Sequence, residues 1–398
     1  MSIAAAIAGR DAYSDQRRRD IASVDLLLLV TVLSLMCLGL VMVTSASIGT
    51  AERMYGDPFY FLYRQGSFLI IGISLAAIIW RTPLKVWEII GPYAMLAAIV
   101  LLALVLIPGV GRTVNGSTRW LSIGPFGFQM SEVAKLMVII YMAGYLTRHA
   151  EKVATKIRGF LMPLAVLGVV AVLLLAEPDF GATVVIASTA LFMLFMAGVR
   201  LWQFGLLFSL LSGAFALLAY TSPYRLKRLT SFMDPWADPF NSGFQLSQSL
   251  IAFGRGEVFG VGLGASVQKL FYLPEAHTDF LLAILAEELG AVGVILVIVL
   301  FAVLAWRAMV IAKRAIEKEN IFGAYIAYGI GFWVVMQAYI NVGVNMGVLP
   351  TKGITLPLMS YGGSSVIMSC VAIALLLRVD LETRFTGRKP GEDRRKRW

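Results

Sequence analysis

Ten apolar stretches, most near the length of about 20 residues that a helix needs to cross a bilayer, divide this chain and leave little else to fold. They fall at about 25–47, 61–80, 86–108, 131–148, 159–176, 181–199, 202–221, 279–306, 321–345 and 358–379. Composition agrees: 59% of the 398 residues are hydrophobic and 15% charged, with a mean hydropathy of +0.79. A soluble domain lies nearer half apolar and a quarter charged. The expected fold class is an all-α polytopic membrane protein of about ten transmembrane helices. Both termini are expected to be cytoplasmic, with a long outer (periplasmic) loop between helices seven and eight.

Residues 1–24 read as a polar tail ending in Gln16-Arg17-Arg18-Arg19-Asp20, 25–379 as the membrane domain with its large loop at 222–278, and 380–398 as a basic tail. The run at 25–47 is too long for a signal-peptide core and lacks a clear cleavage site, so a retained first span is expected. The basic residues test the count. Arg81 and Lys85, Arg148 to Arg158, Arg200, Arg307 to Lys318, and the tail from Arg384 all fall in the inside loops of this ten-span order, as the positive-inside rule requires. The large loop is the exception, with Arg225, Lys227, Arg228, Arg255 and Lys269, but long loops cross with little regard to charge. The formal charge of +10 is thus a topology signal with some pull on anionic lipid, and no nucleic-acid partner is expected. Cys37 and Cys370 sit in apolar runs near opposite ends and offer no disulfide framework. Two histidines, His149 and His277, exclude a histidine-rich metal site and leave a carboxylate one open.

The stretch Leu273-Pro-Glu-Ala-His-Thr-Asp-Phe280 ends an irregular approach and runs directly into the eighth apolar run. It parks Asp279 where water meets hydrocarbon, with Glu275 and His277 just before it. Glu287 and Glu288 follow within the run, offset by about 80° and about 180° from Asp279 on a continuous helix. Acids at membrane depth mark functional sites by default; equally, Thr-Asp is ordinary helix N-cap chemistry. Both readings stand on the residues alone. In the large loop, the apolar faces of 244–253 and 267–273 suggest short helices on the outer leaflet or capping the bundle. Its glycines between 254 and 264 lack the strand–helix setting of a dinucleotide site.

Between spans nine and ten, Leu349-Pro-Thr-Lys-Gly-Ile-Thr-Leu-Pro-Leu-Met-Ser-Tyr-Gly-Gly-Ser-Ser365 cannot form a simple helix. Irregular backbone at membrane depth belongs where protein buries it or a wet cavity meets it. Lys352 there is either a phosphate ligand or a snorkelling interfacial lysine. Arg119, in Val114-Asn-Gly-Ser-Thr-Arg-Trp120, either forks onto phosphate or anchors its loop. Glu132 and Lys135 are spaced for a helical ion pair. Gln337, Asn341 and Asn345 lie four apart on one face, as interhelical hydrogen bonding requires. The unusual polar features fall on the outer half, where they suit a lipid-linked anionic substrate needing proton transfer and charge neutralisation. An ion-coupled transporter fits the residues almost as well.

Together, LPEAHTDF (273–280), AEELG (286–290), LPTKGITLPLMSYGGSS (349–365) and VNGSTRW (114–120) closely resemble the SEDS family of bacterial cell-wall proteins, over nearly all of 20–385 and in the same order. The Pro-Thr-Lys-Gly form at 350–353 resembles the division branch more than the elongation branch; the sporulation branch stays open. The resemblance implies an inner-membrane peptidoglycan glycosyltransferase that polymerises lipid II at the periplasmic face of the septum and releases undecaprenyl pyrophosphate. Asp279 matches the family's essential aspartate, the proposed general base. Lys352 and Arg119 become candidates for the pyrophosphate, Glu275 and His277 for tuning Asp279, and Ser360 joins the substrate-binding candidates. The resemblance implies no fixed cofactor and admits a divalent cation, magnesium or manganese. The implied partners are a class B penicillin-binding protein, FtsI in the division branch, and other divisome proteins. Two alternatives remain: a lipid II flippase, which predicts charges through the inner half where few are found, and a divisome scaffold.

Overall fold

The structure, a computed structural model, describes residues 24–114, 117–123, 126–220, 231–350 and 353–385. All ten predicted runs are helical. In order they are α1 (Leu26–Tyr55), α2 (Tyr60–Arg81), α3 (Leu84–Val105), α4 (Met130–Thr155), α5 (Ile157–Ala176), α6 (Phe180–Met196) and α7 (Leu201–Tyr220). After α8 (Phe244–Gly256), in the long loop, come α9 (Leu281–Glu317), α10 (Ile321–Asn345) and α11 (Gly363–Phe385). Eight of these are long and apolar enough to cross a membrane. The 17-residue α6 is a shorter apolar helix, and α7 is 20 residues long and almost wholly apolar.

Helices α4, α10 and α11 are the inner ones, whereas α2 and α5 present most of their surface outward. The side chains left outside, such as Ile70, Ile78, Val172 and Ile295, are large and apolar, as contact with hydrocarbon demands and contact with water would not. At one end of the bundle, Asp25 accepts the Leu28 N–H (3.0 Å) as cap of α1 and pairs with Arg307 of α9. Arg384 of α11 lies 3.9 Å from Asp25 and 2.8 Å from Asp380 of its own helix. These charges tie three chain segments together at a point where hydrophobic packing alone carries no register.

Two features were not expected. Between α3 and α4 the chain forms a three-stranded antiparallel sheet, β1 (Gly111–Val114), β2 (Ser117–Ile123) and β3 (Phe126–Gln129), where a plain loop was predicted. Its register pairs Arg112 with Trp120 and Leu121 with Phe128, which satisfies backbone groups of a segment lying against the bundle. The second feature is a break in α9. Gly290 adopts φ 68°, ψ −167°, a region open essentially to glycine alone. Loop backbone fills the break: the N–H groups of Val261 and Gly262 donate to the carbonyls of Glu287 (3.0 Å) and Glu288 (3.1 Å), and Ala291 and Val292 donate back to Glu257 (3.0 Å) and Val258 (3.1 Å). The long loop is thus stitched into the helix that Asp279 precedes.

Helix α8 bears out the expected short helix at 244–253, but 267–273 is a series of turns. Phe271 has φ 68°, and the N–H groups of Val267 (3.0 Å) and Gln268 (3.2 Å) are drawn onto the Glu287 carboxylate. The left-handed Phe271 stops a helix from running through this stretch.

Candidate active site

At the other end of the bundle from Asp25, the sheet, the α5–α6 turn, the approach to α9 and the irregular 353–362 segment enclose a cavity of about 790 Å³. Asp279 lines it, with Glu275, His277, Arg119, Gln129, Asp179, Arg64 and the Glu132–Lys135 pair. Polar features separated by more than two hundred residues therefore meet in one space.

Asp279 does not cap α9. The helix starts at Leu281 with Phe280 in the cap position and no side-chain cap bond. Among the described residues nothing donates to the Asp279 carboxylate, while its backbone carbonyl accepts from Asn341 Nδ2 (2.8 Å) and Asn345 Nδ2 (3.1 Å). The chain is thus clamped and the carboxylate left free. Dense protein around it raises its pKa to about 7; the Glu275 charge adds to the rise and Arg119 opposes it. Asp279 still keeps a partly exposed face on the cavity, so substrate can reach it.

Glu275 (φ 56°) organises the approach: its carbonyl accepts the N–H groups of Thr278 and Phe280 (both 3.2 Å), and its carboxylate accepts the Thr278 hydroxyl (2.7 Å). The His277 ring packs on Phe61 (4.5 Å between centroids) and Tyr361 (5.5 Å), and burial holds its pKa below the usual imidazole value against the pull of Glu275. His277 is therefore a neutral aromatic wall. Arg119 donates to the carbonyls of Glu177 (3.2 Å) and Pro178, with its Nη1 3.8 Å from Asp179. It anchors the α5–α6 turn rather than its own loop, and still lines the cavity. Asp179 also accepts from Ser131 Oγ (2.8 Å) and Gln129 Nε2 (3.2 Å).

Glu132 and Lys135 form the expected ion pair (2.8 Å), extended by Lys135 Nζ donating to Gln337 Oε1 (2.7 Å). The Gln337/Asn341/Asn345 stripe makes the expected interhelical bonds, Gln337 Oε1 accepting from Lys135 of α4 (2.7 Å) and Asn345 Oδ1 from the Ala283 N–H of α9 (3.2 Å). It also grips irregular backbone: Gln337 Nε2 donates to Thr355 O (3.0 Å) and Asn341 Nδ2 to Ile354 O (2.7 Å). Ser360 is buried, its hydroxyl accepting the Leu356 N–H (2.9 Å), and it does not line the cavity. Lys352 lies outside the described residues. Glu287 and Glu288 turn away from the cavity. Glu287 holds the loop through Arg255 (2.7 Å) and Glu288 through Lys269 (2.7 Å), and Glu288 also accepts from Ser45 of α1 (2.7 Å).

Arg64 escaped the sequence reading. It lines the cavity, donates to Tyr60 Oη (3.0 Å) and lies over the Tyr60 and Phe68 rings. Among the described residues its partners are aromatic rather than acidic. The available signal was a lone arginine early in an apolar run with aromatic neighbours.

Glu177, behind Arg119, is fully buried with both carboxylate oxygens unpartnered among the described residues. Burial raises its pKa to about 8, helped by Asp179 and opposed by Arg119. A group whose folded pKa exceeds its unfolded value of 4.5 weakens the fold as pH rises between the two. Glu177→Gln is therefore expected to stabilise the protein at pH 8 by roughly 1–3 kcal/mol, with the gain vanishing near pH 4. Thermal midpoints across pH check this.

Fold and cavity together define a multi-pass membrane protein with a polar chamber sunk into one end and an uncapped carboxylate in its wall. The cell cycle protein family of FtsW, RodA and SpoVE matches residues 25–385, and the chain belongs to that family. Among relatives, the probable peptidoglycan glycosyltransferase FtsW of Thioalkalivibrio sulfidiphilus is 57% identical over 380 residues, covering 96% of this chain and 95% of that one. The probable peptidoglycan glycosyltransferase FtsW of Legionella pneumophila is 54% identical over 368 residues, covering 92% and 93%. A solved structure described as "Structural coordination of polymerization and crosslinking by a peptidoglycan synthase complex" superimposes with a TM-score of 0.72 at 28% identity, covering 92% of this chain and 99% of that one. The rod shape determining protein RodA of Thermus thermophilus gives 0.67 at 27% identity, covering 92% and 98%.

Proposed function

We propose that this chain is a peptidoglycan glycosyltransferase that polymerises lipid II at the periplasmic face of the inner membrane during septal wall synthesis. The relatives' names support the reaction class. The observation that carries the reading is Asp279, a carboxylate free of cap and ion-pair duty, facing a large cavity with a pKa near the operating pH. Displacement by an alcohol calls for such a base.

In this reading Asp279 accepts the proton of the acceptor sugar's 4-hydroxyl as that oxygen attacks the anomeric carbon of the donor chain's N-acetylmuramic acid. The bond to undecaprenyl pyrophosphate breaks and the pyrophosphate leaves with the electron pair. Arg64, whose contacts leave its charge uncompensated by a carboxylate among the described residues, stabilises that developing charge. Arg119 and Lys352 are the further candidates. Burial, helped by the Glu275 charge, keeps Asp279 basic enough to act. Magnesium commonly sits on one or two carboxylates plus substrate phosphates. Among the described residues no three His, Cys, Asp or Glu side chains gather as a cage, so a divalent cation, magnesium or manganese, would arrive with the pyrophosphate.

The topology in this reading is cytoplasmic tails at 1–24 and 380–398 around a membrane domain at 25–379, with 222–278 in the periplasm. The partners are a class B penicillin-binding protein, FtsI, and other divisome proteins. The relative solved as a complex that coordinates polymerization and crosslinking supports such a pairing.

A base is active when deprotonated. Polymerisation should therefore rise with pH through about 7, falling roughly tenfold per pH unit below that point. Initial rates in buffers of constant ionic strength check this; a flat profile between pH 5 and 8 contradicts the assignment.

A further inference from the structure

We propose that Asn341 is the positioning residue that sets the Asp279 carboxylate for proton transfer, because its one side chain binds both walls of the crevice in which that carboxylate lies. The inference rests on the polymerase reading above. The carboxylate's seat is unusually tight: a Cβ built on Gly353 would stand 2.7 Å from Asp279 Oδ2. Only a glycine hydrogen fits between them, so the separation of the 279 and 353–354 backbones decides where the oxygen points.

Neither backbone is held by regular structure at this point. Asp279 precedes the first turn of α9, and 353–356 has no helix or strand. Both carbonyls need donors. Asn341, 2% exposed on α10, supplies one Nδ2 hydrogen to Asp279 O (2.8 Å) and the other to Ile354 O (2.7 Å). Among the described residues no other side chain bonds both. Asn345 shares the Asp279 carbonyl (3.1 Å) and accepts the Ala283 N–H (3.2 Å), so it steadies the helix start without reaching 354. Gln337 holds Thr355 O without reaching 279. Asn341 is thus the side chain that bridges 279 to 354 at the carboxylate itself. The backbone bond from Tyr361 N–H to His277 O (3.0 Å) joins the same two segments further out, and the flanking rungs carry stability.

A displacement of about 1 Å at a reacting group costs on the order of 10²-fold in rate. Asn341→Ala should lower kcat by about 10²-fold with KM within about twofold. Asn345→Ala, at similar loss of thermal stability, should cost less than about tenfold. Gly353→Ala adds a methyl group into the Asp279 seat and removes no hydrogen bond; it should also lower kcat by about 10²-fold while the thermal midpoint stays at the wild-type value. The experiment is lipid II polymerisation by the full chain in complex with its transpeptidase partner, with kcat and KM resolved and thermal midpoints measured in parallel. Wild-type kcat in Gly353→Ala overturns the proposal even where Asn341→Ala fails to fold. So do equal activity losses in Asn341→Ala and Asn345→Ala that track folded fraction, or a rise in KM at constant kcat. A wild-type protein that makes no polymer at all defeats the polymerase reading instead, before any variant is compared.

Discussion

Asp279→Asn is expected to slow glycan polymerisation by about 10²–10⁴-fold, the range of a lost general base, while the protein stays folded and bound to its partner. The two side chains have the same shape, and the clamps from Asn341 and Asn345 hold the backbone carbonyl at 279, which the substitution leaves intact. Stability should not fall, because the exchange removes a carboxylate whose pKa already stands at about 7 through burial, and with it the cost of ionising it there. A capping role predicts the reverse. Asn caps about as well as Asp, so a capping Asp279 would leave Asp279→Asn near wild type in rate. The cap position is held by Phe280, which favours the first outcome.

The second large effect lies away from the chemistry. Glu287 is fully buried, and its carboxylate accepts from Arg255 Nη1 (2.7 Å), Ser266 Oγ (2.5 Å) and the N–H groups of Val267 (3.0 Å) and Gln268 (3.2 Å). Glu287→Ala strands these donors, and breaking a buried pair on one side costs about 3–5 kcal/mol. Arg255 is half exposed and rehydrates; the two backbone N–H groups and the serine do not. Glu287→Gln keeps one acceptor oxygen but turns an amide NH2 toward donors that the other oxygen had served, so it should cost less than the alanine, roughly 1–3 kcal/mol. Thermal midpoints resolve the two, and limited proteolysis should show new cleavage within 257–270 in the alanine variant. Equal stability of both variants and wild type would mean that the loop is held by its backbone insertion at Gly290 instead.

How much of this was legible follows from the range of each interaction. The ten helices rest on local hydropathy, and every one appears. The convergence of polar features at one end was also readable, because alternation of basic loops assigns each segment a side. The sheet was missed although its signal was present: Asn115-Gly116 separates β1 from β2, and Asn-Gly between extended runs is the strongest short-range hairpin cue. Glu287 and Glu288 looked like site acids because acids inside an apolar run mark functional sites by default. The break at Gly290 and the partners Arg255 and Lys269, reached across an irregular loop, leave no periodic trace. The same holds for Asn341, whose spacing with Gln337 and Asn345 was visible but whose partners, two bare carbonyls, have no side-chain signature. The seating of Asp279 on Gly353 joins residues far apart in the chain, and no local pattern announces it.

The account stands most directly on polymerisation of labelled lipid II by the detergent-purified protein with its transpeptidase partner, wild type beside Asp279→Asn. A micelle has no two sides, so a translocator has nothing to display there, whereas a polymerase still joins sugars. Glycan chains from wild type and none above background from Asp279→Asn are the predicted result. No polymer from either protein, with lipid II crossing the bilayer of liposomes that hold the same wild-type complex, would contradict it.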